Sequence, residues 1–280
     1  MIRSGATVLA WLVTTLLLAA ALPAAWLQHT VVDRDGYVAL AQRAAGDAEL
    51  QSAMAAELTA QAGRLGSGVD SSVVGPIAAA YTASPAFPPQ FARANGFAHR
   101  WLFTTSLPAT VDPQGRWVID LAPMLSDTAF AQTLGAYGVT VPSTVPIPLT
   151  DEAPAFVRPG ALRPVALWGP WVSIGLGVLA AAGALMTLWS ARRRGRALSA
   201  LGVSALLVGA SGWAGIEAAQ RPLRDALDRT SGTTRRVADV MVATAQDSMH
   251  QWLNVTLIGG AGLVVVGVIV SLLIGLARAT

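Results

Sequence analysis

Three histidines, His29, His99 and His250, are the only imidazoles in this 280-residue chain, and its carboxylates number 16. These are the groups suited to exchanging a proton or holding a metal near neutral pH. There is no cysteine, and all 19 strongly basic side chains are arginine. Without sulfur the chain has no disulfide, thiolate nucleophile, Cys-ligated zinc, iron-sulfur cluster or lipid-modified cysteine anchor. Without lysine it has no Schiff base, pyridoxal site, Ser-Lys dyad or P-loop. These exclusions rest on the absence of the reacting atom.

The remaining candidates are few. His29 follows the first apolar run and His250 precedes the last, so a metal shared between them would draw on Asp33 and Asp247. The competing reading is of two interfacial residues at helix ends. His99 stands four residues after Asn95, on the same side of a helix, where the pair would anchor a buried polar network reaching the strand that bears Asp120. A structural role is expected there. No Gly-x-Ser-x-Gly occurs, and Ser67, Ser71 and Ser72 lie in a glycine-rich break with no placed base. Asp33 with Asp35, and Asp151 with Glu152, read as helix-start or solvated residues instead of an acid-base pair. No catalytic, cofactor-binding or metal residue is therefore assigned, and the chain is read as a non-enzyme without cofactor.

What positions these residues is set by composition. With 53% hydrophobic and only 12% charged residues, the chain is too apolar for a soluble protein. Gly5 to Leu27 carries no charge, and at about 1.5 Å per helical residue it reaches ~35 Å, enough for a ~30 Å hydrocarbon core. Residues 1–27 are thus a first membrane helix, retained as a signal anchor; Arg3 and the small residues around Ala19 to Ala25 leave a cleaved signal peptide as the alternative. Further spans are expected over 165–191, flanked by Trp168, Trp171 and Trp189, over 197–216, closed by Glu217, and over 253–277. Arg192, Arg193, Arg194 and Arg196 fill the turn 192–196 between the second and third spans. Counting arginines in termini and short loops places that turn, both termini and the tail 278–280 in the cytoplasm, with 28–164 and 217–252 outside. Arg221, Arg224, Arg229, Arg235 and Arg236 in the second outer segment argue the other way. With every long Arg-bearing segment outside or at the membrane face, nucleic acid is not expected as a partner.

The exported segment 28–164 is expected to be mainly helical with a small hairpin or sheet. Helical spacing starts near Asp35, with Tyr37, Leu40, Ala41 and Ala44 on one face, and again after the cap Asp47, with Leu50, Met54 and Leu58. Gly66, Gly68 and Asp70-Ser71-Ser72 break the pattern, a short helix follows over Pro76 to Thr82, and Phe91, Ala94, Ala98, Trp101 and Leu102 recur at helical intervals. Thr110 to Ile119 reads as a β-hairpin around Asp112-Pro113-Gln114-Gly115, continuing through Asp120 and Leu121. One more helix suits Asp127 to Tyr137, and Val139 to Leu149, with three prolines, is an edge strand or extended linker. Segment 217–252 holds helical spacing from Val237 through Val240, Met241, Thr244 and Ser248, a stripe expected to pack on the exported domain.

Asp33-Arg34-Asp35-Gly36-Tyr37-Val38, Ser84-Pro85-Ala86-Phe87, Ala94-Asn95-Gly96-Phe97-Ala98-His99, Ile119-Asp120-Leu121-Ala122-Pro123 and Val145-Pro146-Ile147-Pro148 carry a resemblance. Across residues 1 to about 220 the chain resembles a group of uncharacterised actinobacterial integral membrane proteins with a large extracytoplasmic loop after the first transmembrane helix. It departs from that group at Phe91, where the group has Trp, and at Gly96, where it has Arg. The resemblance implies a cell-envelope location and this architecture, and no catalytic residue.

The spans hold no ionisable residue except Glu217 at the rim of the third, whereas pumps and channels need such groups within the bilayer. They hold small-residue pairs four apart instead, Gly177 with Ala181, Ala205 with Gly209 and Ser211 with Gly215, which suit helix packing. The expected function is a multi-pass plasma-membrane accessory or scaffold subunit of envelope machinery. Its partners would be the bilayer and other envelope membrane proteins or further copies of itself. An extracytoplasmic sensor and a transporter-associated subunit are the alternatives, with Glu217, His29 and His250 as the residues to which a more active role would fall.

Overall fold

The computed structural model describes residues 2–65, 71–104, 118–120, 146–148, 160–191, 193–227 and 232–276. Among them the helices are α1 (Ile2–Leu27), a π-helical turn (Gln28–Val32), α2 (Arg34–Ala44), α3 (Ala48–Leu65), α4 (Ser71–Thr82), α5 (Phe87–Phe103), α6 (Arg163–Ser190), α7 (Arg194–Leu227) and α8 (Gly232–Leu276). Among the described residues four stretches are long and apolar enough to cross a membrane: Thr7–Val32, Arg163–Ser190, Arg194–Pro222 and Gly232–Ile274. That is consistent with an integral membrane protein.

The described residues are mainly helical, and the expected hairpin is corrected. Val118–Asp120 (β1) pairs antiparallel with Pro146–Pro148 (β2), each three residues long, with Ile119 opposite Ile147. The partner strand is thus distant in sequence, not the neighbour across Asp112–Gly115. Proline-flanked Ile147 can offer its own N–H, which is enough for a short edge contact and too little to extend a sheet. Val111, the turn Asp112–Gly115 and the helix expected over Asp127 to Tyr137 lie outside the described residues.

The chain divides into two compact units. The first comprises Met1–His29, Trp168–Arg224 and Gln246–Thr280. Within it α7 and α8 run antiparallel in close contact. A Cβ on Gly202 would stand 2.6 Å from the Gly260 carbonyl oxygen and one on Gly209 2.6 Å from Leu257. Gly195, Gly202 and Gly209 recur every seventh residue, as do Gly260 and Gly267 opposite, so the small-residue row stays on one helix face. Of the pairs singled out by sequence, Ala205 and Gly209 lie at this contact, while Gly177 and Gly215 meet nothing within 4 Å. Spacing by four finds small residues but not the face a neighbour covers. Helix α1 lies parallel to α7: Trp11 Nε1 donates to the Ala200 carbonyl at 2.9 Å, and Thr15 and Ser204 share a hydroxyl hydrogen bond of 2.8 Å one turn on.

The second unit comprises Thr30–Leu167 and Asp225–Ala245. Its core joins Ala41, Ala44 and Ala45 at the end of α2, Leu50, Ala55 and Leu58 of α3, Ala78 and Tyr81 of α4, and Phe87 and Phe91 of α5. Val240 is buried in the same cluster, with Val237 and Met241 packed against it. The apolar stripe of α8 therefore covers this core. Asp47 caps α3 through Oδ1, which accepts from the amides of Glu49 at 2.8 Å and Leu50 at 3.3 Å. Helix α4 starts at Ser71, earlier than Pro76; Ser71 and Ser72 belong to the helix instead of breaking it. The buried side of α5 is Phe87, Phe91, Ala92, Gly96, His99, Trp101 and Phe103, while Ala94, Ala98 and Leu102 are only half-buried. The stripe is rotated because α2 packs where α5 has its glycine.

Candidate functional site

Among the described residues the least exposed titratable side chain is His99, 5% exposed. Its place follows from a helix end. The π-helical turn Gln28–Val32 stops at Asp33, whose φ of −70° and ψ of 130° are extended, so the turn's last carbonyls lack an intrahelical donor. His99 Nε2 lies 3.0 Å from the Val31 carbonyl oxygen. A carbonyl can only accept, so Nε2 carries the proton in this contact. The imidazole stacks on Phe103 at 4.2 Å and tilts against Tyr37 at 5.0 Å between centroids.

Asn95, one turn back on α5, completes the group. Its Oδ1 lies 3.4 Å from Tyr37 Oη and its Nδ2 donates to the Phe91 carbonyl at 3.0 Å. Burial raises the Tyr37 pKa. Burial also lowers that of His99, against the opposite pull of the Val31 and Val32 carbonyls and Asp33; Arg34 adds to the lowering. A neutral imidazole used as a donor and a protonated phenol make a latch between α5, α2 and the turn before α2. Nothing in the group is an activated nucleophile. Asp120 is on β1, and its side chain lies outside the described residues, as does any link from it to His99.

The other two histidines each face a tryptophan. His29 sits 6.1 Å from the ring of Trp252, and His250 stacks on Trp213 at 3.9 Å with an interplanar angle of 11°. Trp213 Nε1 also donates to Asn254 Oδ1 at 3.3 Å. His250 and Trp252 are two residues apart on α8 and so diverge around the helix, which separates the two imidazoles. Among the described residues, no three of His, Asp or Glu form a group that could hold a metal ion. Glu217 is exposed on α7 and accepts from Gln220 Nε2 at 3.1 Å, and Gln220 in turn accepts from Arg224 at 2.8 Å. That is a surface chain on one helix, not a charge in a cavity.

Comparison with known proteins supplies no relative: no family model, no curated protein and no solved structure matches the chain.

Arg193, Arg194 and Arg196 are exposed at the junction of α6 and α7, and Arg192 lies outside the described residues. Sequence reasoning passed over Tyr37 and Phe103 as members of the His99 group. Phe103 was reachable, since Asn95, His99 and Phe103 follow at intervals of four. The Val31 carbonyl was not, because the π-helical turn that presents it leaves no mark in residue type.

Proposed function

We propose that this chain is a four-span plasma-membrane protein that holds a helical domain at the outer surface and acts through protein contacts as an accessory or scaffold subunit of envelope machinery. The observation that carries this reading is Val240 in the core of α2–α5. It joins residues 225–245 to residues 30–167, which supports a reading with both segments on one side of the bilayer. Two crossings between them, by α6 and α7, are what returns the chain to that side.

The contents of the spans support contact over transport. Trp11 and Thr15 of α1 hydrogen-bond to Ala200 and Ser204 of α7, Thr14, Thr187, Thr256 and Ser271 bond their own helix backbone, and Gly195, Gly202, Gly209, Gly260 and Gly267 serve the α7–α8 contact. The polar group around His99 holds helices together. The resemblance to actinobacterial integral membrane proteins agrees with this placement.

The test is in-membrane crosslinking of the full chain followed by identification of what copurifies. A reproducible envelope membrane protein, or a defined oligomer, is expected. A chain recovered alone and turning over a small substrate would overturn the scaffold reading. Protease added to spheroplasts should cut residues 28–164; protection there, with digestion in inverted vesicles, would overturn the orientation.

A further inference from the structure

We infer that Arg193, Arg194 and Arg196 at the start of α7, together with Trp189, form a binding surface for the headgroups of anionic phospholipids. The inference rests on the reading that the four helices span the bilayer. Helix α6 ends at Ser190 and α7 begins at Arg194, so the turn is too short to carry its guanidiniums away from the headgroup layer. Arg193, Arg194 and Arg196 are exposed, and Trp189, 88% exposed, stands one turn earlier on α6. An indole at a helix end favours headgroup depth, and a guanidinium offers paired donors to a phosphate.

The stretches of chain that build this end carry no acidic side chain. No Asp or Glu occurs between Glu152 and Glu217, before Asp33, or after Asp247. Those three stretches meet here: α1 runs parallel to α7 through Trp11 and Ala200, and α8 ends beside the start of α7, where Ser271 adjoins Gly195. Among the described residues this end of the first unit therefore carries arginine with no Asp or Glu side chain facing it, and anionic headgroups are the complement a bilayer offers. Each exposed basic residue near an anionic surface strengthens attachment about fivefold.

The full chain is reconstituted in nanodiscs holding equal mole fractions of dibrominated phosphatidylglycerol or dibrominated phosphatidylcholine. Quenching of Trp189 is read as the difference between the native chain and Trp189→Phe. Phosphatidylglycerol is expected to quench at least about twofold more strongly. The preference should fall to parity in Arg193→Gln/Arg194→Gln/Arg196→Gln and persist in the corresponding lysine triple. Equal quenching in the native chain overturns the inference without reference to any variant, and so does a preference that survives the glutamine triple. Loss of the preference on adding millimolar glycerol phosphate would assign the site to a soluble phosphate and overturn it too. A chain that does not enter nanodiscs at all would overturn the spanning reading first, and this inference with it.

Discussion

His99 donates from Nε2 to the Val31 carbonyl at 3.0 Å, tying the middle of the second unit to the chain segment that precedes α2. Because burial holds the His99 pKa below its ordinary 6.5, the folded protein binds fewer protons at this site than the unfolded chain. Its contribution to stability is then complete above about pH 6.5 and is lost as pH falls through the folded-state value. Hydrogen exchange of the α5 amides in the reconstituted full chain, compared between pH 5 and pH 8, reads this directly. His99→Gln keeps a donor for Val31 and should flatten the pH dependence. His99→Ala leaves the carbonyl unpaired and should cost about 1–3 kcal/mol at pH 8. A pH slope unchanged in His99→Gln would show that other groups cause it.

Gly96 lets α5 approach α2. A Cβ there would stand 2.8 Å from Val38 Cγ2, with Arg34 at 3.8 Å. Gly96→Ala should destabilise the second unit by about 1–3 kcal/mol through overpacking. Val38→Ala added to it should recover part of that loss, with a coupling of at least ~0.5 kcal/mol in a double-mutant cycle. Additive losses would place the two residues apart.

The same glycine shows why the helices were legible and the site only in part. Apolar spacing located α2, α3 and α5 because burial repeats along a helix, and Asp47 announced α3 because few residue types cap an N-terminus. The buried side of α5 differs from the one its apolar spacing indicates, since spacing weighs side chains, and here the closest approach is made where there is none, at Gly96. Pro76 suggested a helix start by its missing N–H, yet α4 runs from Ser71 and accommodates it. The pairing of β1 with β2 was beyond reach from local pattern, because three residues a side carry no alternation and the turn signal at Asp112–Gly115 competes with it. Spacing points to a structural role for His99, while its acceptor is a main-chain oxygen, which no sequence displays.

Val240 is 7% exposed in the core that α2–α5 build. Placing a carboxylate there removes apolar contact and buries a group with no partner, at a cost on the order of 3 kcal/mol. Val240→Asp should release this part of α8, so that trypsin cuts at Arg235 and Arg236 several times faster in reconstituted protein. Ala243→Asp, on the exposed side of the same helix, should leave the cleavage rate unchanged. Equal rates in both variants and the native chain would mean that the stripe does not hold this segment.

Ala205 and Gly260 mark the tightest approach of α7 and α8 that can be tested covalently. A Cβ built on Gly260 stands 3.0 Å from the Ala205 Cβ and 2.9 Å from the Gly202 carbonyl oxygen, so the helices must part by several tenths of an ångström to reach the ~3.8 Å usual for a disulfide, a smaller displacement than a leucine at 202 would demand. The chain contains no cysteine, so a pair introduced by Ala205→Cys and Gly260→Cys has no competing thiol within one molecule. Mild oxidation in the membrane should join 205 to 260 within one chain, read as an intact crosslinked peptide after digestion. Adding Gly202→Leu should suppress the bond, since its side chain would meet the Gly260 carbonyl oxygen at 2.6 Å from the Cβ position alone. Overpacking of about 1–3 kcal/mol lowers the population of the close arrangement roughly 5- to 150-fold. Crosslinking between chains instead of within one would show that this glycine row is an oligomer contact and that α7 and α8 of a single chain stand apart.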